Sequence, residues 1–334
     1  MDFDGTGLSI LEISHRSKEF EAVVDELEAL VRELLSVPSG YSVFFLQGGA
    51  STQFAMVPLN LLPEDGKAAY LDTGTWATKA IKEAQRIGNV EVVASGAAGN
   101  YTRIPTSYSI PEDAAYLHIT SNNTIFGTEF AEFPASPVPL VSDMSSDIFS
   151  REINVADFGL IYAGAQKNMG PAGAALVIVK DELIGSGGRK LPAIFDYKSH
   201  ADARSMYHTP PVYSLYVSML NMRWLKERGG VSVIEQENII KARTLYEEID
   251  RNSVFRGTAD VADRSRMNVT FVTEDPAHQE PFLELAKERG LVGLKGHRSV
   301  GGFRASIYNA LSISSVNVLV DAMQEFEEQV KKGL

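Results

Sequence analysis

Residues 160–171 of the chain read LIYAGAQKNMGP, and a second apolar run follows at residues 174–179. Each apolar run is short, rich in β-branched or aliphatic side chains and bounded by turn residues, which is typical of strands buried inside a sheet. The glycine-punctuated turn between them carries Lys167. The stretch therefore predicts two core strands, with one lysine presented at the end of the first.

Similar apolar runs recur through the first half of the chain. Helix-like segments separate several of them, and residues 18–35 show the three-and-four spacing of an amphipathic helix. This alternation predicts an α/β fold with a mainly parallel sheet and helices on both faces. The other strand candidates are residues 43–46, 69–71, 90–93, 116–119 and 138–143, and the intervening helix candidates include residues 52–62 and 76–85.

The pattern changes after Gly229 and Gly230, which follow a predicted helix over residues 214–228 and could form its C-cap and a hinge. Helices then outnumber strands, as in a smaller α+β domain. We therefore predict a large domain over residues 1–230 and a small C-terminal domain over residues 231–334. The elements predicted there are helices over residues 233–250, 281–289 and 315–331 and a strand over residues 268–272.

Composition narrows the class of protein. The 334 residues are 44% hydrophobic and 22% charged, which is typical of a globular chain with a substantial core. A net charge of −12 argues against general binding of nucleic acid, which needs a basic face. The chain has no cysteine, so disulfides and thiolate chemistry are excluded. No apolar run approaches the roughly 20 residues of a membrane span, and no signal peptide is recognisable, so we expect a cytoplasmic protein without membrane contact.

Asp143 ends the run at residues 138–143, and Lys167 follows the run at residues 160–163. Ligands of parallel α/β sheets bind at the carboxyl ends of the strands, where both residues would lie. A lysine and an acid suit pyridoxal phosphate (PLP): the lysine forms a Schiff base with the aldehyde, and the carboxylate keeps the pyridine nitrogen protonated. Taken alone, the pair is only suggestive, because a lysine near a strand end is usually just solvated.

Other motifs point to the same edge of the sheet. Residues 47–51 (QGGAS) join a strand to a helix and could receive an anion, or form a tight turn with a serine N-cap. Trp76 could stack on a planar ring or pack in the core. Two basic clusters, residues 15–16 and 297–304, could bind a small anion or pair with nearby acids. No serine-histidine-aspartate triad or metal-binding spacing stands out, so we predict no metal site.

Together these motifs resemble the phosphoserine aminotransferases, class-V PLP enzymes of fold type I, and the similarity covers nearly the whole chain. The lysine block and the last block are the most specific. The blocks are residues 14–20 (SHRSKEF), 47–51, 122–125 (NNTI), Asp143, 162–173, 208–211 (HTPP) and 296–310.

The resemblance implies roles for the cofactor-binding residues. Lys167 would bind PLP covalently and then move the proton between Cα and C4′, and Asp143 would hold the pyridinium nitrogen. Trp76 would stack on the ring, and Thr124 would contact the cofactor. The cofactor phosphate would be held by Ala50, Ser51 and Gln166, together with His208 and Thr209 from the other subunit of a homodimer whose active sites lie at the subunit interface.

The resemblance also implies the reaction. Arg304 would take the substrate α-carboxylate. The phosphate of phosphoserine, or the distal carboxylate of glutamate, would be bound by His15, Arg16, His297 and Arg298. The expected activity is reversible amino transfer between O-phospho-L-serine and 2-oxoglutarate, giving 3-phosphohydroxypyruvate and L-glutamate in serine biosynthesis. Use of 4-phosphohydroxythreonine in vitamin B6 synthesis is a side role of the family that the sequence leaves open.

Two departures from the family keep alternatives open. The family usually has asparagine where His208 stands, and its leading segment, with a serine-glycine-proline turn near the substrate, has no counterpart before Met1. The alternatives are another fold-type-I aminotransferase or lyase, which needs no phosphate pocket, and a catalytically impaired PLP-binding protein. Assays of donor specificity and of turnover separate the three.

Overall fold

The computed structural model describes residues 2–298 and 300–333. Strands and helices alternate up to residue 85, strands without an intervening α-helix follow over residues 89–180, and helices dominate after residue 196. The strands are β1 (Tyr41–Leu46), β2 (Lys67–Asp72), β3 (Asn89–Ser95), β4 (Ala114–Thr120), β5 (Asn122–Asn123), β6 (Thr128–Glu129), β7 (Leu140–Asp143), β8 (Leu160–Gly164), β9 (Ala175–Lys180), β10 (Phe255–Gly257), β11 (Asn268–Thr273) and β12 (Phe303–Ser306). The helices are α1 (Lys18–Leu34), α2 (Gly49–Leu61), α3 (Thr75–Gln85), α4 (Tyr197–Asp202), α5 (Val212–Glu227), α6 (Gly230–Arg251), α7 (Gln279–Glu288) and α8 (Ile313–Lys331).

A mixed sheet forms the centre of the large domain. Its strands follow the order β1-β9-β8-β7-β4-β2-β3, and neighbours from β8 to β3 pair in parallel. Strand β9 runs antiparallel to both of its neighbours, because a turn too short for a crossover joins it to β8. In register, Asp143 pairs with Thr120 on one side and Tyr162 on the other, so β4, β7 and β8 end at one edge.

Helices cover both faces of this sheet, as the sequence predicts. Apart from the edge strand β3, which is largely exposed, the strands are buried on both faces, which explains their nearly continuous apolar sequences. Alternate residues of β1 illustrate the arrangement: Phe45 belongs to the core under α1 and α5, whereas Phe44 belongs to the core under α2, α3 and α4. Phe20 of α1 packs in the first of these cores, and Phe54 of α2 packs in the second.

The small domain packs a second, antiparallel sheet, in the order β10-β11-β12, against α6, α7 and α8. Its core is a cluster of aromatic rings, with Phe255 and Phe282 4.6 Å apart and Phe271 and Phe303 5.0 Å apart between centroids. Helix α6 joins the two domains, since Ile234 belongs to the large core and Ala242 to the small one. The boundary at residue 230 stays a prediction.

The predicted elements are present, with ends that differ by at most three residues. Strands β5, β6, β10 and β12 and helix α4 were not predicted, because each has six residues or fewer and no clear periodicity. Gly229 adopts the left-handed conformation (φ 109°) directly after α5, as expected of a residue that ends a helix. Among the described residues, no helix combines the length and apolar character that a membrane crossing requires.

Candidate active site

A cavity of about 600 Å³ lies at the carboxyl ends of β4, β7 and β8, between the sheet and the small domain. Both domains contribute to its wall. The predicted site residues that line it are Ala50, Ser51, Trp76, Thr124, Asp143, Gln166, Lys167, His297 and Arg304. The other lining residues are Gly48, Gly49, Phe54, Thr120, Asn122, Ile125, Ser145, Ser146, Ala172, Gly173 and Tyr308.

Asp143 forms part of the floor of the cavity and is only 5% exposed. Its Oδ1 accepts hydrogen bonds from the backbone N–H of Ser145 at 2.9 Å and from Ser145 Oγ at 2.6 Å. Burial raises the pKa of the Asp143 carboxyl, and the bonds from Ser145 and the charge of Lys167 act in the opposite direction. The carboxyl is therefore an oriented acceptor whose charge favours a cationic partner.

Lys167 projects from the turn after β8 into the same cavity as Asp143. The turn is fixed by its own backbone, since the N–H groups of Lys167 and Gly170 both bind the carbonyl of Ala165, at 2.8 and 2.7 Å. Burial lowers the pKa of the lysine amine; Asp143 and Asp147 oppose this shift, and Arg304 adds to it. A lowered pKa raises the fraction of neutral amine, which is the nucleophilic form.

The first turn of α2 forms another wall. Gly48 and Gly49 have left-handed conformations (φ 87° and 62°), and a Cβ on Gly48 would stand 1.8 Å from Thr52 Oγ1. Only glycine fits there, so the chain can turn sharply from β1 into the helix. Backbone N–H groups in a first helical turn lack intrahelical acceptors, and this turn contains no acidic side chain. The wall at Ala50 and Ser51 is therefore suited to an anion.

A chain of hydrogen bonds connects Trp76 with Arg304. Trp76 Nε1 donates to Thr124 Oγ1 at 3.0 Å, and the Arg304 guanidinium donates to the Thr124 carbonyl at 3.1 Å. Trp76 stands at the start of α3, and Lys79 Nζ lies 4.4 Å from its ring centroid. Thr124 thus joins an aromatic surface of the large domain to a cation of the small domain.

The remaining predicted residues lie outside this cavity in a single chain. His15 and Arg16 precede α1, and Arg16 Nε lies 3.3 Å from His15 Nε2. Arg298 is exposed and does not line the cavity. His208 lines a second cavity of about 390 Å³, which shares Gly48 with the first.

Thr209 is held close to the same second cavity, because its carbonyl accepts a hydrogen bond from Gln47 Nε2 at 2.6 Å. His208 and Thr209 therefore lie beside the first turn of α2 and not within the main cavity of their own chain. Their predicted role belongs to the site of a second subunit, so their position here agrees with that expectation without testing it.

Sequence reasoning missed several residues that shape the site. Ser145 could have been found from its position two residues after Asp143, at the end of a strand. Serines placed in this way often form only an aspartate–serine turn with no further role. Tyr308 lines the cavity and its hydroxyl bonds to Asn268 at 3.1 Å, and no local pattern marks it. Beneath the site, His118 stacks on Tyr70 at 4.7 Å, and burial lowers its pKa to about 3.

Comparison with known proteins identifies relatives along almost the whole chain. The aminotransferase class-V family model matches residues 2–319. The chain is 58% identical to a phosphoserine aminotransferase of Flavobacterium johnsoniae over 331 residues, covering 99% of this chain and 93% of the relative. These matches confirm the resemblance that the sequence motifs indicate.

Solved structures confirm the predicted fold. The phosphoserine aminotransferase of Bacillus circulans subsp. alkalophilus superposes with a TM-score of 0.95 at 46% identity, over 98% of this chain and 92% of that one. A PLP-bound phosphoserine aminotransferase of Trichomonas vaginalis gives a TM-score of 0.90 at 37% identity, over 96% and 92%. With its fold, its cavity and these relatives in agreement, the chain belongs to the class-V aminotransferase family.

Proposed function

We propose that the protein is a PLP-dependent phosphoserine aminotransferase that exchanges the amino group between O-phospho-L-serine and 2-oxoglutarate. The products are 3-phosphohydroxypyruvate and L-glutamate, and the reaction belongs to serine biosynthesis. The observation that carries the proposal is one cavity that joins an oriented acid, Asp143, to a lysine of lowered pKa, Lys167, and to a cation of the small domain, Arg304.

The residues around the cavity fit PLP by their chemistry. Lys167 offers an amine to the aldehyde, Asp143 offers a carboxylate to the ring nitrogen, and Trp76 offers an aromatic face. The first turn of α2, at Ala50 and Ser51, suits the phosphate. When bound, PLP supplies an electron sink that makes the Cα–H bond of an amino acid acidic.

The protein's own residues would then manage one proton. Lys167 Nζ would accept the proton from Cα of the amino acid and deliver it to C4′ of the cofactor. This transfer requires an amine that is neutral at the working pH. Burial favours the neutral amine, because it lowers the lysine pKa. Asp143, fixed by two bonds from Ser145, would accept a hydrogen bond from the protonated ring nitrogen and so favour the cationic form of the ring.

The substrates bring further negative charges. Arg304 would take the α-carboxylate in a fork of two hydrogen bonds, and its bond to the Thr124 carbonyl orients the guanidinium beforehand. His297, which also lines the cavity, would bind the side-chain phosphate of phosphoserine or the distal carboxylate of glutamate.

We further propose that the active site is completed across a homodimer. His208 and Thr209 lie beside the first turn of α2 but outside the main cavity of their own chain, and His15 and Arg16 also lie outside it. A second copy would supply these groups to the phosphates, and Arg298 would join them from its exposed turn. Cytoplasmic location and a role in vitamin B6 synthesis remain predictions from the sequence and the resemblance.

A donor-specificity assay tests the reaction. Purified protein with PLP is expected to release glutamate from phosphoserine and 2-oxoglutarate far faster than from alanine or serine. Lys167→Ala should abolish this turnover, and Lys82→Ala, an exposed lysine of α3, should leave it unchanged. A preference for unphosphorylated donors would indicate another aminotransferase, and cofactor binding without turnover would indicate an impaired enzyme.

Subunit complementation tests the shared site. Arg16→Ala and Lys167→Ala, each inactive alone, should regain part of the activity when coexpressed, because the heterodimer then contains one site with both groups intact. If Arg16 serves the cavity of its own chain, every site in the heterodimer stays defective, and coexpression restores nothing.

A further inference from the structure

Three asparagines from separate parts of the fold bind successive backbone carbonyls in the segment after Asp143. We call Asn168, Asn238 and Asn309 the asparagine clamp. The three bonds run from Asn168 Nδ2 to the Ile148 carbonyl at 3.1 Å, from Asn309 Nδ2 to the Phe149 carbonyl at 2.8 Å and from Asn238 Nδ2 to the Ser150 carbonyl at 2.9 Å.

The members of the clamp also bind one another. The backbone N–H of Asn309 donates to Asn168 Oδ1 at 3.1 Å, and Asn238 Nδ2 donates to Asn309 Oδ1 at 2.9 Å. All three side chains are buried, with exposures of 5% or less. Because a buried amide N–H group without an acceptor is costly, loss of these bonds opposes displacement of any one member of the clamp.

The clamp joins the elements that form the proposed active site. Asn168 follows Lys167 directly, and Asn309 follows Tyr308, which lines the cavity. Asn238 lies on α6, the helix that joins the two domains. On its outer side, the lysine turn is held by Asn221 of α5, whose Nδ2 donates to the carbonyls of residues 168 and 169 at 2.9 and 3.0 Å.

The backbone of the clamped segment is strained at its centre. Phe149 has φ 60°, in the left-handed region that bulky side chains rarely adopt. Such a conformation persists only where the surroundings impose it, and strained residues of this kind concentrate at functional sites. The bonds to the carbonyls of residues 148–150 impose it here.

We propose that Asn168 and Asn309 are positioning residues of the amino-transfer reaction: the clamp fixes the lysine turn against the segment that carries Asp143 and ties both to the small domain. The inference rests on the proposed function and adds to it. None of the three clamp residues lines the cavity, so its members would act only through Lys167 and Asp143.

The test compares Asn168→Ala, Asn309→Ala and the double variant as holoenzymes. The matched control is Asn252→Ala: Asn252 is also buried, its Nδ2 donates to Glu248 Oε1 at 2.8 Å, and its Oδ1 accepts the Val254 N–H at 2.9 Å, but it lies in the small-domain core. Turnover is expressed per folded, cofactor-loaded subunit.

Each single clamp variant is expected to lose at least about tenfold in kcat, because a displacement of about 1 Å at a reacting group can cost 100-fold. KM for phosphoserine should change less than about threefold, since the Thr124 carbonyl holds Arg304 independently. The double variant should be hardly worse than the more damaged single variant, as is usual for residues that act as a unit.

A spectroscopic readout separates positioning from general stability. The pH titration of the visible band of bound PLP follows a proton at the Lys167 nitrogen, which Asp143, Asp147 and Arg304 face. This titration should shift in Asn168→Ala and stay in place in Asn252→Ala. Asn221→Ala, which removes the bonds on the outer side of the lysine turn, should shift the titration in the same direction as Asn168→Ala. This variant tests the inference if the buried asparagine variants do not fold.

The inference is overturned if the clamp variants lose no more turnover than Asn252→Ala, or if their titrations coincide with the wild-type curve. Losses that multiply in the double variant would also overturn it, because they would mean independent residues. Failure of the proposed function itself would appear in the wild-type protein, as absence of phosphoserine turnover, and is thus distinguishable.

Discussion

Replacing Ser145 with alanine should weaken catalysis through Asp143 while leaving the fold intact. Ser145 Oγ donates to Asp143 Oδ1 at 2.6 Å and also accepts the N–H of Gly164, at 3.0 Å. A hydrogen bond to a charged group contributes roughly 1.5–3 kcal/mol. At 1.36 kcal/mol per factor of ten, loss of this bond alone corresponds to about 10- to 150-fold in rate.

The backbone N–H of Ser145 still reaches Asp143 in the variant, at 2.9 Å, so we expect the lower part of this range, about tenfold in kcat. The assay is steady-state turnover of phosphoserine at saturating PLP, together with a thermal melt. The matched control is Ser42→Ala, which removes a bond of 2.7 Å from serine to Asp181 on the surface. Equal turnover of Ser145→Ala and Ser42→Ala would refute the reasoning about Asp143.

Three further predictions concern charge. Burial lowers the His118 pKa from 6.5 to about 3, so between these pH values the unfolded chain binds one more proton than the folded protein. The free energy of unfolding should therefore decrease as the pH falls, by at most about 5 kcal/mol from this group. Urea unfolding at pH 7 and 4.5 should show a decrease that is smaller by about 3 kcal/mol in His118→Gln than in the wild type, and an equal decrease contradicts this. Arg151→Met should lower the free energy of unfolding by about 3–5 kcal/mol, because the buried carboxylates of Asp147 and Glu129, 3.3 and 3.5 Å from the guanidinium, lose their partner. Lys198→Met, at an exposed ion pair, should lower it by less than about 1 kcal/mol. Similar urea midpoints for the two variants would contradict this expectation. Arg304→Lys should raise KM for phosphoserine about 10- to 100-fold, since an ammonium cannot form the carboxylate fork, and an unchanged KM would remove Arg304 from the substrate site.

The sequence predicts the large domain well because most strands of its central sheet are buried on both faces. Such strands need continuous apolar runs. The run at residues 160–163 predicts a strand that is only one residue longer in the structure, where β8 ends at Gly164. The small domain is harder: β12 follows two glycines and has only four residues, so its pairing with β11, and not a local pattern, makes it a strand.

The candidate site divides in a similar way. Asp143 and Lys167 could be predicted because both follow apolar runs whose carboxyl ends meet in a parallel sheet. Tyr308 and the clamp residue Asn309 could not, because their positions depend on how the small domain packs against the large one. His15, Arg16, His208 and Thr209 show a further limit, since one chain alone does not bring them to the cavity that they are predicted to serve.

The covalent anchor of PLP is the most direct test of the account. The holoenzyme is reduced with borohydride and digested, and the modified peptide is sequenced by mass spectrometry. We expect a single phosphopyridoxyl group, on Nζ of Lys167. Modification of another lysine, such as the buried Lys241, or recovery of unmodified Lys167 from a fully active enzyme would contradict the assignment.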